Sequence, residues 1–155
     1  MKQKNRTLLN TAALILMKQY KFDLDNVVLT GSLALDMYGL LPENREVHDV
    51  DVIVDVTDSE WGAIRLKSEI IDELPGLPPG QYNYLNYREQ VYVTVGDIHI
   101  NIFREKIPQN CTLIDSFTGI KINPINNIIR AKKKINRQKD ADDITDIACN
   151  ILKMK

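Results

Sequence analysis

Apolar and polar positions along this chain follow two periods, one near four residues and one of two. Leu8, Ala12, Ile15, Leu16 and Tyr20 recur at helical spacing, which predicts a helix from about Arg6 to Tyr20. Val27 to Thr30 is a short apolar run that reads as a buried strand. A second helix is expected over Ser32 to Tyr38, with Gly39 as its stop. A largely polar loop containing Pro42 leads to a valine-rich strand from Asp49 to Val56. Asp58 or Ser59 can cap a third helix carrying Trp61, Ile64, Ile70, Ile71 and Leu74. The prolines and glycines of residues 75–83 exclude regular structure. Val91–Val95 and Ile98–Phe103 flank Gly96-Asp97 as a hairpin. Thr112–Phe117 and Ile120–Ile122 are candidates for further short strands. Pro124 suits the first turn of a helix holding Ile125, Ile128, Ile129 and Ile135, and Asp140 can cap a last helix with Ile144, Ile147, Ala148, Ile151 and Leu152 on one face.

This succession predicts an α/β (α+β) fold, a small mixed, twisted sheet backed by helices, with a C-terminal helical pair alongside. The length of 155 residues suits one domain, spanning 1–155, and no repeat, low-complexity tract or linker marks a second.

The chemistry concentrates between Leu29 and Asp55. A Gly-Ser pair, Gly31-Ser32, closes one strand and opens a helix, and the next strand carries Asp49 and Asp51 two residues apart. Alternate strand residues point to one side, so both carboxylates face the same way. Adjacent carboxylates resist ionising together unless a cation lies between them. A hard divalent ion, Mg²⁺ or Mn²⁺, suits such a pair and commonly accompanies a phosphate substrate. Glycine lets the backbone approach a phosphate closely, and a helix N-terminus offers free N–H groups to an anion. The bland reading of the acids is a solvated strand face, and that of Ser32 is a helix N-cap.

The order strand, Gly-Ser, spacer, Asp-x-Asp and apolar strand resembles the core of the nucleotidyltransferase superfamily, the group that includes DNA polymerase beta. Small stand-alone members are the nearer likeness, because AKKKINRQKDADDI resembles the basic helix and Arg-x-Lys-Asp-x-x-Asp-Ile ending of several of them. The resemblance implies two Mg²⁺ ions on Asp49 and Asp51, in-line attack of an acceptor hydroxyl on the α-phosphorus of an NTP, and departure of pyrophosphate. It implies Gly31 and Ser32 as nucleotide-binding residues, and it favours Lys139 as a triphosphate contact or a structural ion-pair partner. Active members carry a third Asp on a neighbouring strand, within a hydrophobic-Asp-hydrophobic-Phe pattern. In Ile98-His99-Ile100-Asn101-Ile102-Phe103 the matching position is Asn101, whose amide lacks the charge to hold a cation well and cannot act as a base. Asp97 from the hairpin turn, Asp55 from the strand end, or His99 as base or ligand are the substitutes open to the chain. His99 otherwise reads as a structural hydrogen-bond partner, and His48 as a group that orients its loop.

Two functional readings follow, beside the blander one of an unrelated α/β domain whose Asp-x-Asp strand is merely exposed. One is transfer of NMP from an NTP to a hydroxyl on a small molecule, protein or RNA. The other is a degenerate member that binds nucleotide or a partner protein without catalysis. Nothing resembles a dedicated acceptor domain, so the acceptor is small or its site is made by another subunit, a homo-oligomer or a partner protein.

Charge and cysteine content add little. The formal net charge of −1 argues against a general nucleic-acid binder. Arg130, Lys132, Lys133, Lys134, Arg137 and Lys139 crowd one helix and its end, where most read as a solvated face. Tyr82, Tyr84, Tyr87 and Tyr92 read as cover for a sheet edge, with base stacking as the functional alternative. Cys111 and Cys149 support neither a disulfide framework nor a zinc site, so a cytoplasmic setting is expected. The run from Leu8 to Met17 after Lys2, Lys4 and Arg6 reads as an amphipathic helix and not a signal peptide, and no segment is long enough to span a membrane.

Overall fold

The computed structural model describes residues 1–72 and 89–135. Residues 75–83 with Tyr82, then Tyr84, Tyr87, Leu74, Lys139, Cys149 and the expected last helix from Asp140 lie outside the described residues.

The chain begins with helix α1 (Gln3–Tyr20), which starts a turn earlier than its apolar spacing predicts and closes on Lys21 in a left-handed conformation. A single 3₁₀ turn leads into strand β1 (Val27–Thr30), whose residues are all buried. Helix α2 (Gly31–Met37), strand β2 (Asp49–Val54) and helix α3 (Asp58–Asp72) follow. Strands β3 (Gln90–Val95) and β4 (Ile98–Arg104) form a hairpin, β5 (Lys121–Ile122) is a short edge strand, and helix α4 (Ile125–Ile135) comes last among the described elements. The fold is the expected mixed α+β type.

The five strands lie in the order β3-β4-β2-β1-β5. β1 runs antiparallel to β2 and parallel to β5, β2 runs parallel to β4, and β3 runs antiparallel to β4. This mixture leaves the sheet with two dissimilar faces. On one face Val27, Leu29, Val50, Val52, Val54, Val91, Val93, Ile100, Ile102 and Ile122 join Leu9, Leu16, Leu33, Leu35, Trp61, Ile64 and Ile128 of the four helices in the main core. The alternate residues of the same strands must point the other way. There a small cluster of Val28, Ile53 and Phe103 is packed by Ile107 and Cys111.

Three expectations are corrected. The third helix is capped by Thr57, not by Asp58 or Ser59. The Thr57 hydroxyl accepts the Glu60 N–H at 3.2 Å and the Glu60 carboxylate accepts the Thr57 N–H at 3.1 Å, a capping box. Asp58 is instead ion-paired with Arg104 Nη2 at 2.7 Å. Residues 112–117 do not form a strand, and only Ile114 bridges to Lys121. Asp115 breaks that run, because its buried carboxylate holds Arg6 at 2.8 and 2.9 Å and the Thr118 hydroxyl, folding the segment into a turn against α1. The strand carrying the two acids ends at Val54, two residues short of Val56.

Candidate functional site

Register puts the acids where they can act together. Thr30 of β1 lies opposite Asp51 of β2, and Asp51 lies opposite Asn101 of β4. Asp49 lies opposite His99, and Asn101 lies opposite Tyr92 of β3. Thr30, Asp49, Asp51, His99, Asn101, Tyr92 and Thr94 therefore share the face away from the main core. The apolar cluster of Val28, Ile53 and Phe103 occupies the other end of that face.

The Gly-Ser turn reaches the same place. Gly31 has φ +70°, a left-handed conformation that glycine adopts without strain. A Cβ built on it would overlap Asp51 Oδ2, so the carboxylate rests directly against the turn. No side chain larger than hydrogen fits between them. Ser32 sits half-buried in the first turn of α2. It is not the N-cap, since Thr30 takes that position and offers no side-chain capping bond. The Thr30 hydroxyl instead accepts from Asn123 Nδ2 at 3.1 Å. The backbone N–H of Asn123 donates to Leu29, and Asn127 Nδ2 donates to its side-chain oxygen at 3.2 Å.

A second relay fixes the acid from the opposite side. Asn101 Nδ2 donates to Asp51 Oδ1 at 2.8 Å, and Gln90 Nε2 donates to Asn101 Oδ1 at 2.7 Å. Asp51 is thus held between the turn and an amide. The electrostatics of the face are negative. Burial, and then the charges of Asp49 and Asp51, push the Tyr92 phenol above its ordinary value, although the Thr94 hydroxyl pulls the other way. Tyr92 therefore keeps its proton throughout the neutral range.

His99 is held by its neighbours. Its Nδ1 lies 3.1 Å from Thr94 Oγ1, and its ring stacks on Tyr92 with centroids 5.7 Å apart. His48 is solvent-exposed and lies 3.6 Å from Glu46 in the loop before β2. Neither of the two substitute carboxylates completes a cluster. Asp55 lies past the end of β2, four positions along the extended chain from Asp51, which puts their Cα atoms about 13 Å apart. Asp97 stays in the hairpin turn. Among the described residues no group of three His, Cys, Asp or Glu side chains is placed to hold a metal.

The donor set fits a hard cation in part. Asp49 and Asp51 are half-buried carboxylates on one face, the kind of ligand Mg²⁺ and Mn²⁺ prefer. Asn101 does not extend the set as it stands, because its carbonyl oxygen is turned to Gln90 and its N–H₂ group to Asp51.

Thr30, Gln90 and Asn123 escaped the sequence reading. The alternation of Gln90, Tyr92 and Thr94 with three valines was the available signal for Gln90. Nothing local marks Asn123, whose partner lies 93 positions away. Of the basic residues, Arg130 and Lys133 are exposed, as a solvated face requires, while Lys132 is buried.

No helix among the described residues is long and apolar enough to cross a membrane. No family model matches the chain, and no curated protein matches it. Among solved structures it is similar to JHP933 from Helicobacter pylori, at 18% identity and a TM-score of 0.41 over 85% of this chain and 57% of that one. It is similar in the same degree to a structure named "putative nucleotidyltransferase from H. pylori", at 18% identity and a TM-score of 0.41, covering 85% of this chain and 59% of the other. The chain thus spans less than three fifths of the length of either neighbour.

Proposed function

We propose that this chain is a nucleotidyltransferase-like protein that binds an NTP with a divalent cation on Asp49 and Asp51 and transfers NMP to a hydroxyl acceptor. The observation that carries this reading is the contact between the Gly31 turn and the Asp51 carboxylate, with Asp49 on the same face. Two segments separated in sequence, one suited to phosphate and one to a cation, meet at one place.

Each group has a defined task in that reading. Asp49 and Asp51 would hold the cation, Mg²⁺ or Mn²⁺. When bound, such an ion neutralises phosphate oxygens and favours attack at the α-phosphorus. Gly31 makes room for the Asp51 carboxylate against the turn, and phosphate oxygens would meet the backbone N–H and hydroxyl of Ser32 in the first turn of α2. Tyr92 keeps its proton and remains a hydrogen-bond donor on the rim. Asn101 positions Asp51 and takes no proton, because a carboxamide is not basic at neutral pH. The proton of the acceptor hydroxyl must then pass to Asp49, to His99, or to a group of the acceptor itself.

One observation favours a second reading. The Asn101 amide gives a neutral donor to Asp51 where a third acid would give negative charge, and this suits a protein that binds nucleotide, or a partner, without transfer. Incubation with labelled NTPs, Mg²⁺ or Mn²⁺ and a cell extract separates the two. Label transfer that Asp51→Ala abolishes supports the transferase. Nucleotide binding lost in Asp51→Ala, with no transfer by the wild type, supports the second reading. Nucleotide binding that survives both Asp49→Ala and Asp51→Ala would refute both.

A further inference from the structure

Gln90 opens β3 on the same sheet face as Asp51, and its side chain is buried, with 9% exposure. Its Nε2 donates to Asn101, and Asn101 Nδ2 donates to Asp51. Its Oε1 is buried and has no hydrogen-bond partner among the described residues. A buried amide oxygen without a donor is costly and calls for a reason.

The reason lies two residues along the relay. A carboxamide exchanges its oxygen and nitrogen by rotating about its last torsion, with almost no change of shape. Rotation of Asn101 would turn its carbonyl oxygen onto the Asp51 carboxylate, setting two acceptors face to face with no proton between them. Asp51 therefore demands the N–H of Asn101. The oxygen of Asn101 then demands a donor, Gln90 supplies it, and the oxygen of Gln90 is left over.

We propose that Gln90 is a positioning residue that locks the Asn101 amide with its N–H toward Asp51, so that Asn101 closes one side of that carboxylate to a divalent cation. The inference rests on the cation reading of Asp49 and Asp51. With the lock in place, the Asn101 side of Asp51 presents an N–H and no ligand oxygen to a cation. Asn101 offers a ligand oxygen only when residue 90 lets its amide turn over. Glutamate at position 90 reverses the lock, since an ionised carboxylate accepts and does not donate, and Asn101 must then turn its N–H outward to it. Leucine at position 90 removes the lock without reversing it.

The test is titration of the full chain with Mn²⁺ alone, read as free Mn²⁺ by electron paramagnetic resonance. The wild type is expected to bind Mn²⁺ in a manner that Asp51→Ala abolishes. Gln90→Glu should tighten binding roughly tenfold, the scale on which outer-shell partners tune metal affinity, and Gln90→Leu should tighten it less. In an Asn101→Ala background both gains should vanish. Gains that persist without the Asn101 amide would overturn the lock, since they would reflect charge or local loosening alone. Asp51-dependent binding in the wild type with no gain in either Gln90 variant would sink the lock and leave the cation reading standing. No Mn²⁺ binding by the wild type or by Gln90→Glu would end both. If Gln90→Leu fails to fold, the near-isosteric Gln90→Glu decides alone.

Discussion

Single residues at the site have sharply unequal tolerance. Gly31 accepts no side chain, for two independent reasons. Its left-handed φ strains any L-residue by about 1–2 kcal/mol, and a Cβ would collide with the Asp51 carboxylate. Gly31→Ala should therefore lower unfolding free energy by at least that amount in urea titrations and also weaken nucleotide binding. A variant that loses stability but keeps full nucleotide affinity would show that the turn serves the fold alone. Asn101 is the opposite case. Asparagine and aspartate have nearly the same shape, so Asn101→Asp should fold. It exchanges a donor for a second negative charge against Asp51, which costs stability without a cation and recovers it with one. Thermal unfolding with EDTA and then with Mn²⁺ should show a larger cation-induced rise for Asn101→Asp than for the wild type. An equal rise would place the cation away from this pair.

Elements show what the amino-acid pattern discloses and where it stops. β1 and the hairpin were legible because apolar runs and the Gly96-Asp97 turn are local signals. The meeting of Gly31-Ser32 with Asp51 was legible as a bet, since alternation fixes the face of each acid but not the order of strands. The relay through Gln90, Asn101 and Asp51 was not legible, because cross-sheet neighbours follow from strand order and register. The segment 112–117 misled for a similar reason. Its apolar residues Leu113, Ile114 and Phe117 promise a strand, but Asp115 is buried against Arg6 from the far end of the chain. Burial alone would raise the Asp115 carboxyl, but the Arg6 guanidinium and the Thr118 hydroxyl outweigh it and hold it below its ordinary 3.8. A depressed carboxyl contributes stability that is present above its unfolded pKa and lost as pH falls through its folded one. Arg6→Ala strands a nearly inaccessible carboxylate and should cost about 3 kcal/mol at pH 7. With the guanidinium gone, burial dominates and the Asp115 pKa rises. The deficit of the variant should then shrink as the medium is acidified toward pH 4, a trend that urea titrations at several pH values would follow. A deficit independent of pH would assign the loss to the other contacts of Arg6, with the Phe117 ring, Asn10 and Met37.

At the scale of the molecule the sheet is asymmetric. Helices and the main core cover one face, and the other carries a small apolar cluster at one end and the acids at the other. The polar end draws on separate parts of the chain: the turn after β1, the start of β2, β4, and β3 at the edge. A ligand seated there would touch segments that come together only in the folded sheet, so the unfolded chain has nothing to offer it. Binding must then stabilise the whole fold, by about 2.7 kcal/mol at a ligand concentration a hundredfold above Kd. For a domain of this length that corresponds to a rise in Tm of roughly 5–10 °C. A non-hydrolysable NTP with Mg²⁺ should produce that rise in thermal unfolding. EDTA should remove most of it, and Asp51→Ala should remove it altogether while leaving the ligand-free Tm within a few degrees of the wild type. A rise that persists in Asp51→Ala would put the nucleotide away from the Gly31 turn and Asn101, because Asp51 is the β2 residue that lies opposite both Thr30 of β1 and Asn101 of β4.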